Sequence, residues 1–499
     1  MQKILFGVQF LESNGKMSLK EQINTKEKIN NDIFHLVGSV ADSMNVETYV
    51  IGGYVRDIFL NRESTDIDIV CIGSGIDLAK KVAEQLPYSN KVYVFKSFGT
   101  AMIHYVLDGK DWQVEFVGAR KESYRTNSRK PLVEDGTLQD DQNRRDFTIN
   151  AMAICLNKDR YGYLLDPFNG LYDIERQIIR TPLDPDVTFS DDPLRMLRCI
   201  RFASQLDFSI LTETFEAIKR NASRIKIISQ ERITEELNKM LLSKRPSVAF
   251  KLLDKCGLLQ IILPELVALK GVDSVGEKTH KDNFLHTMEV LDNVARQSNK
   301  LFLRWAALLH DIAKPLCKKY DKKTGFSFHG HEVKGSYMVE KIFRRLKLPL
   351  NENMKYVKKL VFLHLRPIAL VEDEVTDSAV RRCLFEAGND IDDLMILCHS
   401  DITSKNLAKK SQYISNLNLV KQKMQEIEEK DRIRNFKVPV SGEDIMKIYN
   451  LTPCKVVGIL KDKIKEAILD GSIHNDKQEA LNLLYEEAEK LNLKPQNNL

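Results

Sequence analysis

Residues 52–68 read GGYVRDIFLNRESTDID, a segment that combines a glycine pair, an arginine and two closely spaced carboxylates. Side chains alternate along a β-strand, so Asp66 and Asp68 project from one face if the segment ends in a strand. Two carboxylates this close repel each other unless cations lie between them. Oxygen ligands of this kind suit Mg²⁺, which is often shared with substrate phosphates. The segment therefore predicts a strand that carries a metal site.

The residues before the carboxylates predict a phosphate-binding element. Gly52 and Gly53 let backbone N–H groups approach a phosphate closely, and Arg56 supplies a fixed positive charge. Glu115, in the run Val114-Glu115-Phe116, lies on a second strand that we expect beside the first. Three carboxylates would complete a two-metal site for phosphoryl transfer. The alternative is that the two aspartates cap a turn and Glu115 is a solvated edge residue.

Length and composition limit the class of protein. A chain of 499 residues should divide into several domains, and 75 basic against 70 acidic side chains confine any nucleic-acid surface to a local patch. The eight cysteines lack C-x-x-C spacing, which is typical of a reduced cytosolic protein without a zinc ribbon or disulfides. No apolar run approaches the roughly 20 residues that span a bilayer. These features predict a cytoplasmic protein without membrane association.

The patterning changes near residue 170. Strand-like runs at 49–51, 67–72, 92–95, 101–106 and 113–117 alternate with helical stretches, which predicts an α/β head with a mixed sheet. After the turn cluster 166–170, amphipathic helical patterns continue to Leu499. The fold class is therefore an α/β head followed by all-α segments.

Two further motifs follow the carboxylates. Arg145, Asp146 and Asn150 combine groups that suit a triphosphate and a sugar hydroxyl, although a polar helix start would look the same. In the run from Ser190 to Arg198, Pro193 suits the first position of a helix and Asp192 its N-cap. Asp192 and Arg195 are three residues apart, so a carboxylate and a guanidinium could together read a nucleobase edge without a template. The capping and base-reading roles are compatible.

These three motifs, in this order, resemble the class II CCA tRNA nucleotidyltransferases and bacterial poly(A) polymerases over about residues 45–265. The resemblance implies Asp66 and Asp68 as ligands of the catalytic Mg²⁺, and with Glu115 they form the predicted catalytic set. The predicted nucleotide-binding residues are Gly52, Gly53, Arg56, Arg145, Asp146, Asn150, Asp192, Arg195 and Arg198. The motif at 231–237 is expected to brace neck helices, and residues 121–142 lie where CCA-adding members have a flexible loop. One departure is Asp191, where the family usually has Glu.

The second half carries another candidate site. His286, His310-Asp311 and Asp401 resemble the H…HD…D metal-binding pattern of HD-domain phosphohydrolases over about residues 280–405. Imidazole and carboxylate ligands suit a divalent transition metal that activates water. Three further histidines, His329, His331 and His364, lie nearby in the sequence and could bind a second metal ion. A single histidine on a helix is more often a packed or surface residue than a metal ligand.

The resemblances divide the chain into five expected parts: an N-terminal extension (1–30), a nucleotidyltransferase head (31–175), a helical neck and RNA-binding body (176–265), an HD domain (266–415) and a helical tail (416–499). The implied function is template-independent addition of CCA to the tRNA 3′ end from CTP and ATP. Nearest alternatives are a poly(A) polymerase and an enzyme that adds only A or only CC. A nucleotide phosphohydrolase centred on the HD domain and a non-catalytic RNA-binding protein belong to different classes. The oligomeric state stays open.

Overall fold

The computed structural model describes residues 23–86, 91–107, 110–125, 128–272, 274–275, 278–279, 282–372, 376–403, 406–431 and 437–495. Most of the predicted N-terminal extension lies outside these residues. The chain forms two compact units. Unit 1 comprises Met1–Arg195 and Phe208–Ala217, and unit 2 comprises Met196–Asp207 and Ile218–Leu499.

Unit 1 is built on a seven-stranded sheet of order β3-β4-β5-β2-β1-β8-β9. Strands β6 and β7 form a separate two-stranded hairpin. The first nine strands of the unit are β1 (Thr48–Ile51), β2 (Asp66–Cys71), β3 (Val92–Phe95), β4 (Thr100–Leu107), β5 (Lys110–Gly118), β6 (Arg120–Arg125), β7 (Ser128–Asp135), β8 (Ala153–Cys155) and β9 (Leu164–Leu165). The central pair β2–β5 is parallel and the other neighbours are antiparallel. The predicted mixed sheet and its five predicted strands are therefore confirmed.

The helices of unit 1 are α1 (Asp32–Ser43), α2 (Gly53–Phe59), α3 (Gly75–Gln85), α4 (Leu138–Asn143), α5 (Gly170–Arg176) and α6 (Pro185–Asp191). Two further helices, α7 (Leu194–Leu206) and α8 (Thr212–Asn221), each contribute residues to both units. A short parallel pair joins β10 (Ile178–Ile179) to β11 (Ser209–Ile210). Residues 121–142, expected where CCA-adding members have a flexible loop, form most of β6, all of β7 and most of α4, and residues 126–127 between the two strands lie outside the described residues.

One face of the sheet is covered and part of the other is open. Helix α3 packs against β3, β4 and β5, where Ala101, Ile103 and Val114 are fully buried. The alternate residues of β5, including Gln113 and Glu115, are exposed. This period-two alternation is the reason that the polar positions of β2 and β5 share one face.

Unit 2 is predominantly helical, as predicted. Its remaining helices are α9 (Gln230–Leu241), α10 (Pro246–Lys255), α11 (Leu258–Ile262), α12 (Pro264–Val267), α13 (Asn283–Gln297), α14 (Leu301–Leu309), α15 (Lys314–Cys317), α16 (His331–Arg345), α17 (Glu352–Leu363), α18 (Arg366–Glu372), α19 (Asp377–Ala387), α20 (Ile391–Asp401), α21 (Leu407–Asp431), α22 (Gly442–Tyr449), α23 (Lys455–Asp470) and α24 (Lys477–Glu489). Short 3₁₀ segments across the chain are Lys26–Ile29, Lys96–Phe98, Thr148–Asn150, Lys158–Arg160, Ala222–Ile227 and Gly388–Asp390. Among the described residues, no helix has the length and apolar character that a membrane span requires.

Two antiparallel hairpins correct the all-α expectation for this half. They pair β12 (Ser274–Val275) with β13 (Lys278–Thr279), and β14 (Lys319–Asp321) with β15 (Gly325–Ser327). In the second, Asp321 accepts hydrogen bonds from the backbone of Lys323 and Thr324 at 2.8 and 2.9 Å, which closes the turn. Strands of two or three residues are too short to produce a periodic pattern in the sequence.

Two buried polar contacts hold the helices of unit 2 together. Arg201 on α7 donates to Glu236 on α9 at 2.6 Å, and both side chains are nearly buried. This pair agrees with the predicted bracing role of the 231–237 motif. Arg304 on α14 is 1% exposed and donates to the carbonyls of Leu241, Ser243, Ala295 and Ser298 at 2.6 to 3.0 Å. The guanidinium thereby satisfies acceptors near the C-terminal ends of α9 and α13.

Arg304→Met is expected to lower the free energy of unfolding of this unit by at least about 3 kcal/mol, because several buried carbonyls lose their donor at once. Thermal and urea unfolding would measure the effect. Arg344→Met is the matched control, since Arg344 forms an exposed pair with Glu340 at 2.8 Å and should cost less than about 1 kcal/mol. Equal losses in the two variants would contradict the assigned role.

Candidate functional site

The three predicted carboxylates lie together on the sheet of unit 1. In the parallel pair β2–β5, Asp68 stands opposite Glu115 and Asp66 stands opposite Gln113. Cross-strand partners share a face at a spacing of about 4.8 Å, so Asp66, Asp68 and Glu115 project from the same side. The sequence-based expectation of adjacent strands is confirmed.

The charges in this cluster fit a bound cation. Although Glu115 as a whole is exposed, partial desolvation of its carboxyl group and the neighbouring charge of Asp68 raise its pKa, while a hydrogen bond with Thr100 and the charge of Arg120 oppose the rise. A divalent cation beside Asp68 and Glu115 would favour the ionised form of both groups. An all-oxygen donor set on two adjacent strands suits a hard cation.

Gly52 brings the backbone against this cluster. Its φ of +88° favours glycine, and a Cβ there would lie 2.8 Å from Nη1 of Arg145 and 3.0 Å from Oδ2 of Asp68. The glycine therefore lets the turn before α2 approach both a carboxylate and an arginine. This contact joins the first and second sequence motifs in space.

Gly52→Ala is expected to weaken nucleotide binding at least about tenfold, because the added methyl group meets both side chains and the backbone conformation becomes strained. Nucleotide titration and thermal unfolding of the variant would separate lost binding from lost stability. Gly99→Ala is the control, since Gly99 also has a positive φ (+64°) but no atoms within 4 Å of its Cβ position. Unchanged nucleotide affinity in Gly52→Ala would contradict this placement.

A nearly buried polar chain links the other predicted residues of unit 1. Arg56 donates to Asn150 at 2.8 Å and to Asp57 at 2.9 Å. Asn150 in turn donates to Asp146 at 3.0 Å, and the backbone N–H of Phe147 donates to the same carboxylate oxygen. The structure thus brings Arg56, Asp146 and Asn150 into one network, in which each side chain fixes the orientation of the next.

A buried aspartate positions the two adjacent arginines. Asp141 is fully buried and accepts from both Arg144 and Arg145. Burial alone would raise the pKa of Asp141, but the two guanidinium groups outweigh it and hold that pKa below its usual value. Asp141 was not predicted as a site residue. Its position three and four residues before the two arginines on a helical segment was nevertheless a usable signal of an ion pair.

The third motif occupies the start of α7. Oδ1 of Asp192 accepts from the backbone N–H of Leu194 at 3.1 Å and so caps the start of α7, but α7 begins at Leu194, so Pro193 precedes the helix instead of occupying its predicted first position. Arg195 donates to the backbone carbonyl of Arg144 at 2.6 Å and thus lies beside the arginine pair. Arg198 is one turn further along α7, with its guanidinium 5.5 Å from the ring centroid of Phe202.

Unit 2 contains two groups of potential metal ligands. Within the described residues these are His286, His310 and Asp401, and Asp311, His331 and His364, with the ligand atoms of each group within 4.8 Å of one another. Asp311 faces both groups: Oδ2 lies 3.3 Å from Nε2 of His310, and Oδ1 lies 3.2 Å from Nε2 of His331. All four residues of the predicted H…HD…D set meet here. Of the additional histidines, His331 and His364 join them, whereas His329 is exposed and belongs to neither group.

The histidines are oriented as metal ligands. Nδ1 of His310, His331 and His364 lies 2.7 to 2.8 Å from the backbone carbonyls of Ala307, Phe328 and Val361, and Nδ1 of His286 lies 2.8 Å from the Thr403 hydroxyl. A carbonyl partner requires a proton on Nδ1, so Nε2 is the nitrogen of these rings that would bind a metal ion. Nε2 of His310 is buried and lies 3.3 Å from Oδ2 of Asp311 and 3.5 Å from Oδ1 of Asp401, without a well-directed hydrogen bond to either. This donor set fits a divalent transition metal.

The charged groups of this cluster shift one another's pKa values. Burial would lower the pKa of His310, but Asp311 and Asp401 outweigh burial and raise it to about 10. Lys314, one helical turn after Asp311, donates to its Oδ2 at 2.6 Å. Lys314 was not predicted as a site residue, and its ammonium group adds a positive charge beside Asp311.

Metal uptake is expected to release about one proton per chain at neutral pH. His310 keeps its proton at any pH below about 10 in the metal-free protein, and a metal ligand must be neutral. Affinity for the metal should therefore rise with pH up to that value. Calorimetric titration with Mn²⁺ in two buffers of different ionisation enthalpy would count the protons, and a heat independent of the buffer would contradict the prediction.

The chain is similar to known protein families and to curated relatives. Three family models match: Poly A polymerase head domain at residues 48–180, Probable RNA and SrmB-binding site of polymerase A at 207–269, and HD domain at 283–402. A Multifunctional CCA protein from Shewanella frigidimarina is 31% identical over 74% of this chain and 86% of its own length. Another from Herminiimonas arsenicoxydans is 36% identical over 61% of this chain and 70% of its own length.

The fold is also shared with solved structures. The CCA-adding enzyme of Bacillus stearothermophilus in complex with CTP has a TM-score of 0.63 at 23% identity, over 93% of this chain and 99% of that chain. The Thermotoga maritima CCA-adding enzyme complexed with tRNA has a TM-score of 0.59 at 21% identity, over 94% of this chain and 100% of that chain. At these identities the likeness shows a shared fold, and the family models and the two relatives carry the family assignment. The chain therefore belongs to the poly(A) polymerase and CCA-adding family of nucleotidyltransferases, with a fused HD domain.

Proposed function

We propose that this protein adds CMP and AMP from CTP and ATP to the 3′ end of tRNA without a nucleic-acid template. The observation that carries the proposal is the in-register pair Asp68–Glu115, with Asp66 on the same face and with Asp68 and Arg145 both beside Gly52. The RNA 3′ hydroxyl attacks the α-phosphate in line, and pyrophosphate leaves. Mg²⁺ held by Asp66, Asp68 and Glu115 would activate the hydroxyl and neutralise the developing phosphate charge.

The protein side chains position the nucleotide. The backbone at Gly52 and Gly53, together with Arg145, would bind the triphosphate next to the carboxylates. The chain Arg56–Asn150–Asp146 keeps the pocket rigid and presents polar groups to the sugar. Asp192 and Arg195 would hydrogen-bond the base edge, and Arg198 on the next turn of α7 would add positive charge. Two relatives named Multifunctional CCA proteins support this choice of substrate.

The specificity of addition has a close alternative. A relative from Aquifex aeolicus, 31% identical over 66% of this chain and 42% of its own length, is named A-adding tRNA nucleotidyltransferase. The purified protein should therefore be tested with tRNA that lacks CCA and with tRNA that ends in CC, each with CTP, ATP or both.

We expect two cytidines from CTP alone, a complete CCA from both nucleotides, and a single adenosine on the CC-ended tRNA. Adenosine addition restricted to the CC-ended tRNA would identify an A-adding enzyme, and a long adenosine homopolymer would identify a poly(A) polymerase. Either result would overturn CCA addition. We also propose that the chain divides into the five parts predicted above, with the head at 31–175 and the HD domain at 266–415.

A second candidate activity is metal-dependent phosphoester hydrolysis by the HD domain. Two neighbouring ligand groups, with Asp311 within 3.3 Å of a histidine in each and Lys314 beside it, favour this activity because paired ions can hold a phosphate and lower the pKa of water. Hydrolysis of bis(p-nitrophenyl) phosphate with Mn²⁺, Co²⁺ or Ni²⁺ would test this. Metal binding without turnover of this diester or of nucleotide monophosphates would assign the domain a structural role.

A further inference from the structure

An exposed aromatic patch lies on the same face of the sheet as the catalytic carboxylates. Tyr93 and Phe95 on β3 are 40% and 44% exposed, which is unusual for large aromatic side chains. Phe98, in the 3₁₀ segment that follows β3, is 68% exposed. The contacts assigned above to the nucleotide pocket involve none of these three residues.

Strand register places this patch relative to the metal site. Asp68 is opposite Glu115, Glu115 is opposite Met102, and Met102 is opposite Tyr93. These four residues form one continuous row across β2, β5, β4 and β3, so their side chains share a face. Three strand spacings of about 4.8 Å separate the ends of the row by roughly 14 Å. Phe95 lies on the same face, two residues further along β3.

The surroundings of the patch suit a polyanion that carries planar bases. The ring of Tyr93 meets His104 edge-on with centroids 5.7 Å apart, and Nζ of Lys91 lies 5.1 Å from the Tyr93 centroid. Lys91 and Lys96 flank the aromatic pair on the exposed strand. Aromatic rings beside basic side chains are the combination that binds single-stranded nucleic acid without strong sequence preference.

We propose that Tyr93 and Phe95 form a stacking platform for the single-stranded 3′ end of the RNA substrate, upstream of its terminal nucleotide. The proposal rests on the proposed transfer of nucleotides to an RNA 3′ end. A terminal hydroxyl poised at Asp68 and Glu115 leaves the preceding nucleotides on the open face of the sheet, and the row leads from those carboxylates to the aromatic pair. Stacking tolerates any base, so the platform would hold the substrate as its last nucleotides change during addition.

A second copy of this chain is a weaker candidate for the same surface. β3 is an edge strand, and unpaired edges can recruit another sheet. However, β3 has only four residues, and exposed Lys91 and Lys96 stand at its ends. A short edge with flanking lysines opposes sheet-to-sheet association, whereas the same lysines favour RNA.

The test is the double variant Tyr93→Ala/Phe95→Ala, with kinetics measured separately for RNA and for nucleotide. We expect KM for tRNA to rise about tenfold or more, with KM for CTP and the unfolding temperature unchanged. The aromatic exchange Tyr93→Phe/Phe95→Tyr should restore the wild-type value. Tyr172→Ala is the matched control, since Tyr172 is 48% exposed on α5 and is not in the row.

Binding of an RNA oligonucleotide with 2-aminopurine at each of its last four positions separates the two proposals. Stacking should quench the probe upstream of the terminal position in the wild type and not in the double variant. A wild type without nucleotide incorporation that still shows this quenching would refute the proposed function alone. An active wild type whose double variant keeps its KM for tRNA would refute the platform. Light scattering would show whether the wild type forms a dimer that the double variant loses. If the dimer is lost while KM for tRNA is unchanged, the patch serves self-association instead.

Discussion

Asp68→Asn is expected to reduce nucleotide incorporation at least about 1,000-fold, which corresponds to roughly 4 kcal/mol of transition-state stabilisation. Asparagine has almost the same size as aspartate, so packing on β2 should persist while the anionic ligand is lost. Asp68 stands opposite Glu115 and next to Gly52, so its charge is central to both the metal site and the nucleotide approach. Single-turnover incorporation of CMP into tRNA lacking CCA would measure the effect.

Asp77→Asn is the control for this prediction. Asp77 is an exposed carboxylate on α3, the helix that covers the opposite face of the sheet, so its removal changes the net charge equally without touching the cluster. It should retain wild-type incorporation. Activity of Asp68→Asn within tenfold of the wild type would refute the assignment of the cluster as the catalytic centre.

Asp311→Asn is expected to abolish metal binding at both proposed ligand groups, with the affinity lowered at least about 100-fold. Its two carboxylate oxygens face different ligand groups: Oδ1 lies 3.2 Å from Nε2 of His331, and Oδ2 lies 3.3 Å from Nε2 of His310. An amide offers one weaker oxygen donor in place of two anionic ones. Elemental analysis after dialysis against Mn²⁺ would give the metal content per chain.

His329→Ala is the matched control, because this exposed histidine lies near the cluster in sequence but outside both ligand groups. It should bind as much metal as the wild type. If Asp311→Asn lost only one ion, Asp311 would belong to one group rather than to both. If it lost none, the two groups would not be metal sites.

Much of the architecture follows from periodicity. The strands at 49–51, 67–72 and 113–117 were identifiable because apolar and polar residues alternate there, and this alternation also predicted that Asp66 and Asp68 share a face. The hairpins β12–β13 and β14–β15 were missed because two- and three-residue strands carry no period. The hairpin β6–β7 was missed for a different reason, since its charged, polar residues resemble a loop.

The histidine cluster shows where local patterns end. The sequence separated His286, His310 and Asp401 by many residues, and only the H…HD…D resemblance connected them. Nothing local distinguished His331 and His364, which join the ligand groups, from His329, which does not. That distinction depends on tertiary contacts: His331 begins α16 and His364 directly follows α17, and α17 packs against both α16 and α14.

By itself the sequence determined the chemistry of this protein: the types of ligand, the order of the motifs, and the strand period that aligns Asp66 with Asp68. Only the tertiary structure decided which of these groups meet, because strand order and helix packing depend on the burial of apolar faces across the whole chain. It placed Glu115 in register with Asp68, Arg145 beside Gly52, and Tyr93 at the far end of the row that begins at Asp68. Contacts between residues distant in sequence arise from packing, and no local pattern encodes them.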